Sequence, residues 1–258
     1  MKTKWSVEEI ELLKQVYGKF KRQELLTYFP NRTMKSLIYK AFSLKIKADH
    51  SITHNSIGFT NHNCFTVPDV YNSYWAGFLA ADGCIRKNGF DINLIQKDKN
   101  VLYDYAKFLQ YNNPKIYSKL KKGVPNAVSY LRVASQQMVK DLKRNFNIVP
   151  EKSLTLMPPE NLNEKCTLAF ITGYIDGDGR ISITKKNNFV SCGITGTKDL
   201  LSWIANNTDP TLKLYQRKKY ENICDPRTYR INVTRKKAER FLKILLSITE
   251  LDSVRLTR

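Results

Sequence analysis

Apolar residues recur at helical spacing in the first 46 positions. Ile10, Leu13, Val16 and Tyr17 fall on one face. Trp5 precedes Ser6, and Glu9 follows three residues later, the arrangement of a capping box that opens a helix. A second helix is predicted from Arg22 to Phe29 and ended by Pro30. Thr33 can cap a third, with Leu37, Ile38, Ala41, Phe42 and Leu44 facing inward. From about residue 48 to 70 the chain is polar and without period, which reads as a linker.

Beyond the linker the pattern repeats. WAGFLAADGCI (75–85) returns as ITGYIDGDGRI (171–181), so Asp82 and Asp178 lie 178 − 82 = 96 residues apart. INLIQKDKNVL (92–102) lines up with GITGTKDLL (193–201), each an alternating strand running into an amphipathic helix. YLRVASQQMVKDLKR (130–144) parallels YRINVTRKKAERFLK (229–243) in the same way. Each half reads helix, hairpin, helix, hairpin, helix. The fold class expected is therefore α+β: two pseudo-symmetric αββαββα repeats (71–158 and 159–258) after a small all-α domain (1–48) and a linker (49–70). One chain then holds both halves of the molecule and is expected to act as a monomer.

Charge narrows the partner. Lys and Arg number 43 against 23 Asp and Glu, a formal net charge of +20 spread along the whole chain. Such an excess points to a polyanion, and its distribution favours nucleic acid over a membrane surface. No apolar run approaches 18 residues, and the start MKTKWSVEEIELL lacks the apolar core of a signal peptide. The five cysteines (Cys64, Cys84, Cys166, Cys192, Cys224) form no CxxC pair, which fits a reducing cytoplasm better than a disulfide framework. His50, His54, His62 and Cys64 crowd together, but their spacing matches no familiar zinc finger, and a polar linker is the simpler reading.

Both repeated segments resemble the LAGLIDADG signature of homing endonucleases, and the residues supply a physical reason. Gly77 and Ala81 are four apart, as are Gly173 and Gly177, so each pair lies on one helical face where two backbones can approach closely. That contact would bring Asp82 and Asp178 together at two helix C-termini, with Gly83 and Gly179 leaving each helix in a left-handed cap. Two carboxylates at the negative ends of two helix dipoles need a cation, and Mg²⁺ (or Mn²⁺) accepts such hard oxygen ligands. The resemblance implies that the aspartates bind metals at the scissile phosphates of duplex DNA, helped by the main-chain carbonyls of Ala81 and Gly177. An EF-hand starting at Asp176 fails, because Arg180, Ile181 and Asn187 fall at its fifth, sixth and twelfth positions. Asp176 faces Ala80 in the first copy and is read as structural.

Further roles follow from the same resemblance. Gln96, which ends a strand pattern, would organise the nucleophilic water; its counterpart is Thr195 or Gly196. Arg235 would assist catalysis in the second half, where the first has Ser135 and Gln136. The sheets would lie in major grooves, presenting Arg86, Lys87, Asn88, Lys119, Lys121 and Arg132 from one half. The other half offers Lys185, Lys186, Asn188, Arg217, Lys218, Arg227 and Arg230. The N-terminal pattern W-S-x-E-E-x-x-L-L, E-L-L-x-x-F-P-x-R-T, S-L-I-x-K-A resembles a homeodomain-like or Myb/SANT-like helix-turn-helix unit, whose third helix would present Lys35, Tyr39 and Lys40. The function implied is metal-dependent double-strand cleavage of a long asymmetric target, promoting the spread of an intron or mobile gene. An intron RNA maturase and a cleavage-inactive transcription regulator are alternatives on the same scaffold. Intact Asp82 and Asp178 argue against the latter.

Overall fold

The computed structural model describes residues 5–18, 20, 22–46, 61–111, 114–119, 128–184, 189–216 and 228–248. It divides into two compact units, Met1–Gly58 and Phe59–Arg258.

In the first unit, Ser6 and Glu9 exchange hydrogen bonds (Glu9 N to Ser6 Oγ 3.2 Å, Ser6 N to Glu9 Oε2 3.0 Å) and start α1, Val7–Val16. The helices α2 (Arg22–Tyr28) and α3 (Met34–Ser43, capped by Thr33) follow. Leu13, Val16, Leu25, Phe29, Leu37 and Ala41 form the core. Arg32 reaches back to Glu9 through Nε (2.9 Å) and Nη2 (2.6 Å), with its guanidinium 4.4 Å from the Trp5 ring centre. That fork holds the Glu9 carboxyl down at about 2. One expectation fails here. Ile38 and Phe42 are 37% and 82% exposed, because Leu37 and Ala41 already occupy the inward row, and residues one step on are turned about 100° away.

The second unit begins earlier than its periodicity suggests. Phe65 is fully buried, its ring 5.5 Å from Phe108 and 6.2 Å from Phe146. Asn145 Nδ2 donates to the Phe65 carbonyl at 2.7 Å, and Asn72 Nδ2 donates to those of Cys64 and Val67. Residues 61–69 are therefore folded chain, not linker, and Val70 already belongs to the next helix; positions 49–60 of the predicted linker, with His50 and His54, lie outside the described residues. His62 shares a 2.8 Å hydrogen bond with Ser135, and burial pushes the Cys64 thiol up to about 12.

Asp69 and Asn72 form a capping box that starts α4, Val70–Asp82. Next come β1 (Gly83–Arg86), β2 (Gly89–Ile95), a 3₁₀ turn (Gln96–Asp98), α5 (Lys99–Phe108), β3 (Ile116–Lys119), β4 (Val128–Ala134) and α6 (Gln136–Phe146). A second 3₁₀ turn, Lys152–Leu154, leads to α7 (Glu164–Asp178). The order then recurs: β5 (Arg180–Thr184), β6 (Phe189–Gly196), α8 (Lys198–Thr208), β7 (Leu214–Gln216), β8 (Tyr229–Thr234) and α9 (Lys236–Leu246). Each half builds one antiparallel four-stranded sheet, ordered β1-β2-β4-β3 and β5-β6-β8-β7. The expected double αββαββα architecture is what forms.

Each sheet buries alternate residues. Phe90, Ile92, Leu94, Leu131 and Val133 face the interior of the first; Cys192, Ile194, Ile231 and Val233 face that of the second. Between the halves, α4 and α7 are covered nearly all round, including Asn72, Ser73, Thr172 and Asp176. Tyr74 Oη donates to Asp176 Oδ2 at 2.6 Å, a hydrogen bond from helix to helix that accounts for Asp176 in the interior.

Candidate active site

Two glycines set the distance between α4 and α7. A Cβ on Gly77 would stand 2.0 Å from the Phe170 carbonyl oxygen, and one on Gly173 would stand 1.9 Å from that of Tyr74. Any side chain there would push the backbones apart. At the C-terminal end the contact continues: a Cβ on Gly177 would lie 2.3 Å from the Ala81 Cβ and 3.5 Å from Asp82 Oδ2. Gly83 and Gly179 depart from expectation. Their φ/ψ of −84/147 and −75/147 are extended, not left-handed. Glycine is needed because the chain turns back on its own last helical turn, where a Cβ would meet the Leu79 or Ile175 carbonyl at 2.4 or 2.3 Å.

Asp82 and Asp178 are the last residues of α4 and α7, so the two carboxylates are carried to the same end of the helix pair. Lys152 joins them. It sits on the 3₁₀ turn after α6, just past Glu151 in the left-handed region (φ 57°), and is 6% exposed. Its Nζ donates to the Ala81 carbonyl at 3.2 Å. Burial lowers the Lys152 pKa, against the pull of Asp178 and Asp82, which favour its charged form. Burial and the same two carboxylates raise that of Tyr174, whose hydroxyl donates to the Thr195 carbonyl at 2.9 Å. The site thus gathers two carboxylates and one buried lysine side chain.

Strand register separates two expected catalytic residues from this centre. Gly83, the residue after Asp82, pairs with Ile92 at the end of the ladder, and the next β2 residue, Asn93, is exposed. Gln96 lies three residues further, about 10 Å along the strand. Its Oε1 accepts from Ser129 Oγ at 2.6 Å and Ser118 Oγ at 3.5 Å. Arg180, two residues after Asp178, pairs with Gly193, and Thr195, two residues on along β6, pairs with Arg230. Arg235 is five residues beyond Arg230, about 16 Å toward the outer end of β8. It occupies the N-cap position of α9 with φ 56°, its N–H donating to Val190. Asn93 and Lys152 are the residues that sequence reasoning missed. Asn93 is the one polar member of the apolar run Ile92–Ile95; Lys152 carries no local signal.

Each sheet turns its other face away from the helices. On the first, Cys84, Arg86, Lys87, Asn88, Asn93, Lys119 and Arg132 are exposed. Asp91, also on this face, is 3% exposed because Arg86 and Arg132 close over it; its hydrogen bonds to Arg132, and then its charge, raise the Arg132 pKa. Tyr117 and Tyr130 stack at 5.1 Å beside them. On the second sheet, Arg180, Ser182, Ser191, Arg230, Asn232 and Thr234 line a cavity of about 240 Å³ over Gly193. In the first unit, Lys35 and Tyr39 are exposed on α3, whereas Lys40 is half-buried with Nζ 5.8 Å from the Trp5 ring centre. Lys121, Lys185, Lys186, Asn188, Arg217, Lys218 and Arg227 lie outside the described residues.

Hard oxygen donors are what the site offers a cation. Among the described residues no group of three or more His, Cys, Asp and Glu side chains converges. Two carboxylates at helix ends, completed by water, suit a magnesium-like ion better than zinc. The Ala81 carbonyl already accepts from Lys152. Among the described residues no helix is long and apolar enough to cross a membrane.

Residues 69–147 match the family model described as a LAGLIDADG-like domain. No curated protein matches the chain. Solved structures that resemble it include the LAGLIDADG meganuclease I-AabMI bound to uncleaved DNA, at 16% identity over 66% of this chain and 81% of that one, TM-score 0.38. Full-length DUF199/WhiA from Thermatoga maritima is 14% identical over 74% of this chain and 61% of that one, TM-score 0.44. The LAGLIDADG homing endonuclease I-GzeII in complex with its DNA target is 13% identical over 74% and 87%, TM-score 0.45.

Proposed function

We propose, on the premise that residues 69–147 are a LAGLIDADG-like domain, that this chain is a metal-dependent endonuclease cutting both strands of a long, asymmetric duplex DNA site. The observation that carries this reading is the meeting of Asp82, Asp178 and buried Lys152 at one end of the α4–α7 pair. Two carboxylates facing a polyanion repel it, whereas with a divalent ion they form a phosphodiester-cleaving centre.

Asp82 and Asp178 would hold Mg²⁺ or Mn²⁺, and such an ion supplies an activated water and charge stabilisation at the leaving oxygen. Burial disfavours the charged form of Lys152 and the two carboxylates favour it; in that charged form it would offset part of the repulsion that an arriving phosphate meets. Its hydrogen bond to Ala81 O fixes the ammonium against the last turn of α4. Asn93 and Thr195, just past the ladder positions that follow the two aspartates, would orient DNA or water there. The sheet faces would grip the duplex through Arg86, Lys87, Asn88, Lys119, Arg132 and Arg230. Because both repeats lie in one chain, one monomer engages an asymmetric site. Residues 1–48 would add an outer contact through α3, with Lys35 and Tyr39 toward DNA.

The test incubates the full chain with a library of randomised linear duplexes, with Mg²⁺ or with EDTA, and sequences the ends produced. The expected result is one consensus of paired breaks that appears only with metal. Ends without consensus, or cutting undiminished by EDTA, would overturn the reading.

A further inference from the structure

Phe90 and Ile92 are fully buried on the core face of β2, so Asp91 between them belongs to the outward face. A carboxylate at that position is ordinarily solvated; this one is covered by two guanidinium groups. Arg132, its register partner on β4, donates from Nε to Oδ1 at 2.9 Å and from Nη2 to Oδ2 at 3.2 Å. Arg86, at the end of β1, donates from Nη2 to Oδ2. The two arginine side chains stay 57% and 56% exposed while the aspartate side chain is 4% exposed. Each guanidinium has five N–H donors. Arg132 spends two of them on Asp91 and Arg86 one, so both turn outward edges that still carry donors.

One buried carboxylate is neutralised by one arginine. The second leaves the cluster net positive, which suits a polyanion, yet the buried negative charge works against a phosphate-binding role. A site built to clamp phosphate would gain by omitting it. A carboxylate behind the guanidinium makes sense where the outward edge meets a neutral acceptor pair and orientation matters more than charge. Guanine N7 and O6 in the major groove are such a pair, and the planar fork of arginine matches them. Fixing the side chains beforehand also lowers the ordering cost on binding.

We propose that Asp91 is a positioning residue that holds Arg86 and Arg132 as a paired guanine reader, so that the half-site under the first sheet requires guanine at two positions. At the matching register of the second sheet stands Gly193, paired with Arg180 and Asn232. This inference rests on duplex DNA being the ligand.

The test selects bound sequences from a randomised duplex library at equilibrium, with Ca²⁺ in place of Mg²⁺, for the full-length protein and for Asp91→Asn, Arg86→Gln and Arg132→Gln. The wild type is expected to select guanine at two positions of one half-site. Arg86→Gln and Arg132→Gln should each lose one of them, by roughly tenfold or more. Asp91→Asn should weaken both preferences while its affinity for random duplex rises, a combination that a merely unstable protein would not give. Guanine retained at both positions by the two arginine variants, whose side chains are more than half exposed, would overturn the proposal even if Asp91→Asn does not fold. So would an Asp91→Asn protein with the wild-type preference. A wild type that selects nothing would overturn the DNA-binding reading itself, and this inference with it.

Discussion

On the first sheet a buried carboxylate, Asp91, is flanked by Arg86 and Arg132; at the matching register of the second, Gly193 stands beside Arg230 and Asn232. The core faces of the same strands are alike: Ile92 and Leu131 in one half correspond to Ile194 and Ile231 in the other, all fully buried. Packing fixes the inward positions, because each must fill the space against the helices. The outward positions carry no such constraint, and in them the two halves have parted. The sequence after the last helix of each half differs too. Six residues past Phe146 the chain reads Lys152, whereas six past Leu246 it reads Asp252.

If the helix pair is what the halves share most strictly, it should tolerate least. Gly77→Ala and Gly173→Ala each drive a methyl to within 2.0 Å of a partner carbonyl, and each should cost about 3 kcal/mol or more. Gly193→Ala meets only Arg230 and Asn232 side-chain atoms, at 3.0 and 3.1 Å, and should stay within about 1 kcal/mol. Urea denaturation of the three variants decides this; equal losses would erase the distinction between the shared core and the divergent faces.

Lys152 gives the halves unequal chemistry. Lys152→Met should slow cleavage about a hundredfold, on the scale of losing one preorganised charge contact in an active site, with no fall in melting temperature. A variant that unfolds instead would make Lys152 a structural residue.

The cysteines sharpen the contrast between outward and inward positions. Cys84 is exposed on the outer face of β1, whereas Cys192 is buried on β6, its thiol pushed up to about 12. Iodoacetamide at pH 8 should modify Cys84 well before Cys64, Cys166 or Cys192. Bound duplex should protect Cys84; labelling undisturbed by DNA would move the ligand off this face.

The smallest effect concerns the first unit, which stands outside the repeat. Glu9 is held near 2 in the fold against an ordinary 4.5, so its contribution is fully present above 4.5 and lost as pH falls through 2. Amide signals of α1 should show this loss between those values in the wild type. Arg32→Met should shift the loss to higher pH, leaving only the smaller part due to the Ser6 N–H; an identical profile in both would discount the Glu9–Arg32 fork.

Much of this was legible in the sequence. The repeated motif revealed the duplication, the four-residue spacing of small residues revealed the helix contact, and alternation revealed the strands. What stayed hidden depends on pairing. Without register, Gln96 and Arg235 look like neighbours of the aspartates, because chain order does not say how far along a strand its partner begins. Lys152 follows an irregular turn and acquires meaning only from Ala81, 71 residues earlier. Residues 61–69 look like linker because one apolar residue, Phe65, anchors them and polar hydrogen bonds do the rest. Ile38 and Phe42 mislead because a short helix in a small unit has only one face to bury.

The central claim is that Asp82 and Asp178 together form one cleavage centre for two strands. Asp82→Asn and Asp178→Asn keep side-chain size but remove charge and weaken metal ligation. Each variant, incubated with Mg²⁺ and a supercoiled plasmid carrying the selected site, should yield no linear product, while still shifting the target duplex in a gel without metal at least as tightly as the wild type, because repulsion from the phosphates is relieved. Linear product formed at the wild-type rate by either variant would contradict the account.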